Sequence, residues 1–198
     1  MKLSILAKKL VSLNLYREAE QILKLASRVV FAHISGPSGS GKTTIMEEIQ
    51  SLHPDVVAKD LDEFDEEATE EMGLDPLWKQ TSWSRELQIE HYKIKQKLLD
   101  DFIDANAGKK ILLVGIHNEG EESLHFNAEN KILLNTSPKE SIERRIKRDS
   151  EWGKGWNFWE NEEALLSEIE ESEEIVMGLT GDGYSPMSRD EILSLFEN

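Results

Sequence analysis

GPSGSGKT, residues 36–43, stands between the apolar run VVFAHIS (Val29–Ser35) and a segment with helical periodicity that begins at Lys42. It satisfies the spacing G-x-x-x-x-G-K-[ST]. Glycines let a backbone curl so that successive N–H groups point inward at phosphate oxygens, where side chains would obstruct them. A helix that starts at the same spot adds the positive end of its dipole. A lysine in the seventh position reaches the β and γ phosphates as a point charge, and the hydroxyl after it is placed to ligate Mg²⁺. The stretch therefore reads as a phosphate cradle, not as a flexible connection. Its expected contacts are Gly36, Ser38, Gly39, Ser40, Gly41, Lys42, Thr43 and Thr44, with Thr43 on the metal side.

Outward from this loop, short apolar runs alternate with helical segments. VVFAHIS predicts a buried strand, followed by a helix from Lys42 to about Leu52; DVVAKD predicts a second strand. A long helix is expected from about Ser84 to Asn106, ended by Ala107-Gly108. KKILLVGI and NKILLN are continuous apolar runs, as expected of strands covered on both faces. Pro138 opens a further helix, EEALLSEIEESEEIVMGL continues as helix, and Ser188 with Glu191 has capping-box spacing at the head of the last one. The expected fold is α/β: a parallel sheet of about four or five strands, flanked by helices and joined by right-handed crossovers. Residues 1–28 carry Leu3, Leu6, Leu10 and Leu13, then Tyr16, Ala19, Ile22, Leu23 and Ala26, at helical spacing broken by Asn14. They predict a helical hairpin ahead of a main domain over 29–198. The hairpin either packs on that domain or docks a protein partner.

With 198 residues, 38% hydrophobic and 31% charged, the composition is that of a globular chain with one good core and an appendage. No apolar run approaches the roughly 20 residues of a membrane-spanning helix, and no membrane partner is expected. The start MKLSILAKKL lacks the marks of a secretory signal, and cysteine is absent, which excludes disulfides, thiolate nucleophiles and cysteine-zinc sites. A cytoplasmic location is the expectation. A formal charge of -16 argues against an extended nucleic-acid surface. The acid is concentrated in DLDEFDEEATEE and ENEEALLSEIEESEE, and the second of these runs reads as a solvated face.

Ligands of open α/β sheets sit outside the carboxyl ends of the strands, so Asp60 and Asp62 should emerge beside the cradle. A carboxylate there holds a metal's water shell, or orients and deprotonates an acceptor hydroxyl. The alternative is an acidic loop continuous with Glu66, Glu67, Glu70 and Glu71. With the loop, Asp60-Leu61-Asp62 and Asp62-Glu63-Phe64, the chain resembles the nucleoside- and nucleotide-kinase-like branch of P-loop NTPases, which includes uridine-kinase-like and shikimate-kinase-like enzymes. The resemblance implies a P-loop NTPase fold, ATP and Mg²⁺ as cofactors, and a small-molecule acceptor. It implies that Asp62 contacts the acceptor hydroxyl and that Asp60 holds Mg²⁺ through water.

ERRIKRD, residues 143–149, is similar to the arginine-bearing segment that leads into the lid of uridine-kinase-like enzymes. By that resemblance Arg144, Arg145 and Arg148 clamp phosphates, with the lid over about 144–160. Guanidinium forks suit a transition state whose charge spreads over phosphoryl oxygens. The alternative is a solvated helix with Glu140–Arg144 and Glu143–Lys147 pairs. In EWGKGWNFWEN, Gly153 and Gly155 suit the hinge of a water-excluding lid. Trp152, Trp156, Phe158 and Trp159 either pack a loop on the core or stack on a base.

One departure concerns the third strand, where uridine-kinase-like enzymes often carry an acid in an E-G-I triplet and this chain has Val114-Gly115-Ile116. His117 and Asn118 follow that strand as loop caps or as acceptor contacts, and His33 reads as a core histidine. Three functions stay open: an ATP-dependent kinase of a small, nucleoside- or nucleotide-like acceptor; a polynucleotide 5′-hydroxyl kinase; and a non-catalytic or regulatory nucleotide-binding module. A Walker-type motor is disfavoured, because no apolar strand ends in an Asp-Glu pair.

Overall fold

The computed structural model describes residues 15–16, 29–74, 83–116, 124–151 and 162–197. The hairpin expected over 1–28 lies almost wholly outside the described residues, as do His117, Asn118, Gly153, Gly155 and the lid aromatics.

The elements run β1 (Val29–Ser35), α1 (Lys42–Leu52), β2 (Val56–Asp60), α2 (Leu61–Glu71), α3 (Arg85–Ala105), β3 (Lys110–Val114), β4 (Asn127–Leu134), α4 (Pro138–Glu151), α5 (Glu162–Gly181), β5 (Ser185–Met187) and α6 (Arg189–Phe196). The five strands form one parallel sheet in the order β2-β3-β1-β4-β5. β1 is central: Ile34 pairs with Val114 on one side and with Ile132 on the other.

Alternation along the strands sends side chains to opposite faces, and helices cover both. On one face Ala32, Ile34, Leu112, Val114, Ile132 and Leu134 pack with Ile45, Met46 and Ile49 of α1 and with Ile192 and Phe196 of α6. On the other, Ile111 and Leu113 pack with Leu61 and Phe64 of α2 and with Leu99 and Ile103 of α3, while Leu133 meets Leu179 of α5. His33 is the core histidine expected, fully buried, with Nδ1 2.6 Å from the Tyr184 hydroxyl.

Two elements were not foreseen. α2 follows β2 without a loop, so the acidic loop that stood as the alternative for Asp60 and Asp62 is a helix. Its helix is set by a capping box, in which the Asp60 carboxylate accepts from the first turn and Glu63 reaches back to the Asp60 N–H at 3.2 Å. Leu61, Phe64 and Ala68 form a buried stripe that the surrounding acids hide from a composition reading. β5 is three residues long and contains Pro186, which an edge strand paired only to β4 tolerates.

Candidate functional site

Loop 36–41 lies at the carboxyl end of β1 and runs into α1, whose N-cap is Gly41. The loop is seated on α4. A Cβ at Gly39, where φ is +80°, would stand 2.3 Å from the Ser141 carbonyl oxygen and 2.8 Å from Cγ of Arg145. Only glycine fits a backbone of that handedness at that separation. From below, the Ser40 carbonyl accepts hydrogen bonds from Arg144 Nη1 and Thr136 Oγ1, both at 3.0 Å. Ser40 itself is buried.

Above the loop is a cavity of about 470 Å³. Its walls gather Ser38, Gly39, Gly41, Lys42, Thr43 and Thr44 with both aspartates and all three arginines of the sequence reading. Gly36 is not part of the wall. Gly115 and Ile116, which the sequence reading did not include, complete it from the end of β3.

Lys42 Nζ donates to the loop's own carbonyls, Gly36 O at 2.8 Å and Pro37 O at 3.0 Å. Burial pulls the Lys42 ammonium below the usual lysine range; Asp60 and Asp62 oppose that fall, and Arg148 adds to it. A charge so placed gains from an arriving anion.

Asp60 ends β2 and caps α2, accepting from Asp62 N at 3.1 Å. Thr43 Oγ1 donates to Asp60 Oδ2 at 3.2 Å. Burial pushes the Asp60 carboxyl above the ordinary range, and its hydrogen bonds and Lys42 offset part of that rise. Because the Thr43 proton is directed at Asp60, the hydroxyl's lone pairs are left for a cation. Among the described residues no cluster of three His, Asp or Glu side chains forms a metal cage. Asp62 is exposed in the first turn of α2 and lines the cavity.

At the position of the missing acid of β3 the chain is apolar. Val114 pairs with Asp60 in register and is fully buried in the core. At Gly115 an added Cβ would lie 2.8 Å from Leu61 Cβ, so the chain passes too close to α2 for any side chain there. The carboxylate at this end of the sheet comes from β2 instead.

α4 carries pairs along its own surface, with Lys139 beside Glu143 and the Arg144 charge felt at Glu140, and it also reaches the loop and α5. Glu140 accepts from Ser137 N and Oγ, at 3.2 and 3.0 Å. Arg144 braces the loop through the Ser40 carbonyl, Arg145 Nη1 pairs with Glu168 of α5, and Arg148 lines the cavity. Thr136 and Glu168 were missed because their partners lie far off in sequence.

A second cavity, of about 430 Å³, lies on the other side of the α1 N-terminus. It shares Gly41, Thr44 and Arg144 with the first and is walled by Asn135, Thr136, Glu48 and Arg189. Arg189 closes it by a two-pronged pair with Glu48: Nε donates to Oε2 at 2.9 Å and Nη2 to Oε1.

A family model described as an AAA domain matches residues 33–171, from β1 into α5. The chain belongs to this AAA-domain family. The family is of the P-loop NTPase type and includes kinase-like families, so the α/β fold and the phosphate loop of this AAA domain stand together. None of its described strands ends in an Asp-Glu pair. No curated protein matches it. Among the described residues of this AAA domain, no helix is long and apolar enough to cross a membrane.

Proposed function

We propose that the protein is an Mg-ATP-dependent kinase that phosphorylates a hydroxyl or phosphate oxygen of a small acceptor. The observation that carries this reading is one cavity whose lining joins the phosphate loop, Lys42 and three arginines with the exposed Asp62. A nucleoside triphosphate on Mg²⁺ would supply the transferable phosphoryl group, held by the loop N–H groups, Lys42, the Thr43 hydroxyl and, through water, Asp60. The second cavity would take the base and sugar, since it continues from the phosphate cavity past Gly41 and Thr44.

Within that arrangement Asp62 orients the acceptor hydroxyl and takes its proton as the new ester bond forms. Lys42, Arg145 and Arg148 offset the charge that develops on the transferred group. Arg144 acts from beneath, holding the loop in shape through Ser40. Ile116 and residues 152–160 would help exclude water, so that transfer outcompetes hydrolysis.

The test is ADP release by the purified protein against nucleosides, nucleotides, small metabolites and 5′-hydroxyl oligonucleotides, then Asp62→Asn with whichever acceptor works. The amide keeps the size of the carboxylate but cannot take the proton. Asp62→Asn should keep Mg-ATP affinity near that of the wild type and lower turnover about 10²–10⁴-fold. Turnover with oligonucleotides alone would select the polynucleotide-kinase reading.

One observation favours a second reading, a non-catalytic nucleotide-binding module. The apolar Val114 stands where uridine-kinase-like enzymes often carry an acid. ATP binding that Asp62→Asn leaves unchanged, with no acceptor turned over, would select that module, with residues 1–28 as its docking element.

A further inference from the structure

The acidic run of α5 is a solvated face at Glu170, Glu171, Glu173 and Glu174, which are all exposed. Glu168 departs from it. Its side chain is 18% exposed, and it meets Arg145 Nη1, whose own side chain is 22% exposed, across the α4–α5 contact. The stem of that arginine lies against the phosphate loop, as the closeness of its Cγ to the position of an added Gly39 Cβ shows. One guanidinium therefore has the cradle at its base and a carboxylate of the next helix at its tip, on the wall of the phosphate cavity.

We propose that Glu168 is a positioning residue, which holds the Arg145 guanidinium in the place and plane from which it meets phosphate oxygens. The inference rests on the nucleotide reading of the cavity and adds a residue from outside it. A long, flexible cation loses rotamer freedom when it closes on a ligand, and a partner that has already fixed it removes that cost. Glu168 also carries a negative charge, which repels phosphate. The two effects have opposite signs, so the direction of the change on neutralising Glu168 separates a positioning partner from a competitor. Its distance from the cavity wall favours positioning: Arg145 lines the cavity and Glu168 does not.

The experiment is a double-mutant cycle read by calorimetry with Mg-ATP and with Mg-tripolyphosphate, using wild type, Arg145→Ala, Glu168→Gln and the double variant. Groups in contact couple, whereas distant ones add. Glu168→Gln should weaken binding of both ligands by roughly threefold to tenfold, and should change nothing further in the Arg145→Ala background. Glu168→Asp, which keeps the charge, should bind more tightly than Glu168→Gln and serves if the latter does not fold. Additive losses, unchanged affinity with only a lower unfolding temperature, or tighter binding on neutralisation would each overturn the inference and leave the nucleotide reading standing. Failure of the wild type to bind either ligand would overturn the nucleotide reading itself, and this inference with it.

Discussion

Asp60 serves three neighbours at once: it caps α2, accepts the Thr43 hydroxyl and faces Lys42. The site keeps this carboxylate half-buried at a cost, since burial raises its pKa. A group whose pKa is higher in the fold than in the unfolded chain binds more protons when folded. Its contribution to stability is present below the ordinary carboxylate pKa and is lost as pH rises through the raised value. Asparagine caps a helix as well as aspartate does, and it carries no charge to desolvate. Lys42, pulled down by burial, keeps Asp62 as a counter-charge. Asp60→Asn should therefore unfold at a higher temperature than wild type near neutral pH, with a flatter pH dependence on the acid side. The same change should weaken the Mg²⁺ dependence of nucleotide binding. Thermal unfolding across pH, with and without Mg-ATP, checks both; a lower midpoint for the variant at neutral pH would refute the stability half.

Among the elements, the phosphate loop and α4 form one joint, and Gly39 is its contact point. Gly39→Ala should cost about 1–3 kcal/mol, the usual range for a strained backbone position. It should also lower Mg-ATP affinity by pushing the loop off Ser141. Chemical denaturation and calorimetry on one preparation measure the two effects. How far such elements can be read in advance depends on where their signal lies. β1, α1 and α3 were legible because each carries its own pattern of apolar spacing and end signals, and the Ser188–Glu191 capping box of α6 is wholly local. α2 was legible in principle, through Leu61, Phe64 and Ala68, but the acids between them masked the stripe. The short β5 exists because β4 offers it a partner, so nothing within Ser185–Met187 announces it. The site divides in the same way. The loop and the two aspartates follow from spacing and strand ends. The hydrogen-bond partners of Arg144 and Arg145, the Ser40 carbonyl and Glu168, are tertiary, and helical spacing, which sets Glu140 beside Arg144, carries no sign of them.

At the scale of the whole molecule, two cavities flank the start of α1 and share Gly41, Thr44 and Arg144. If one takes phosphates and the other the base, a ligand without a base separates them. Arg189→Ala should weaken Mg-ATP binding and leave Mg-tripolyphosphate binding unchanged. The exposed Glu48–Arg189 pair is worth at most about 1 kcal/mol, so the fold itself should be little affected. Thermal shift reads both ligands, since at a hundredfold excess over Kd a bound ligand stabilises by about 2.7 kcal/mol. Equal losses for the two ligands would mean that Arg189 is not at a base site. The central position of β1 bears on how this chain comes to exist at all. β1 precedes every other described strand, yet both its neighbours, β3 and β4, follow the detour through β2, α2 and α3. Ala32 must wait for Leu112, about 80 residues later, which at about 5–20 residues per second of synthesis is roughly 4–16 s. Throughout that interval the sticky VVFAHIS segment is on show with nothing to pair with. Sheets closed by such distant partners fold slowly and are exposed to aggregation meanwhile. The order of the sheet thus sets the interval of synthesis in which this chain is most exposed to aggregation.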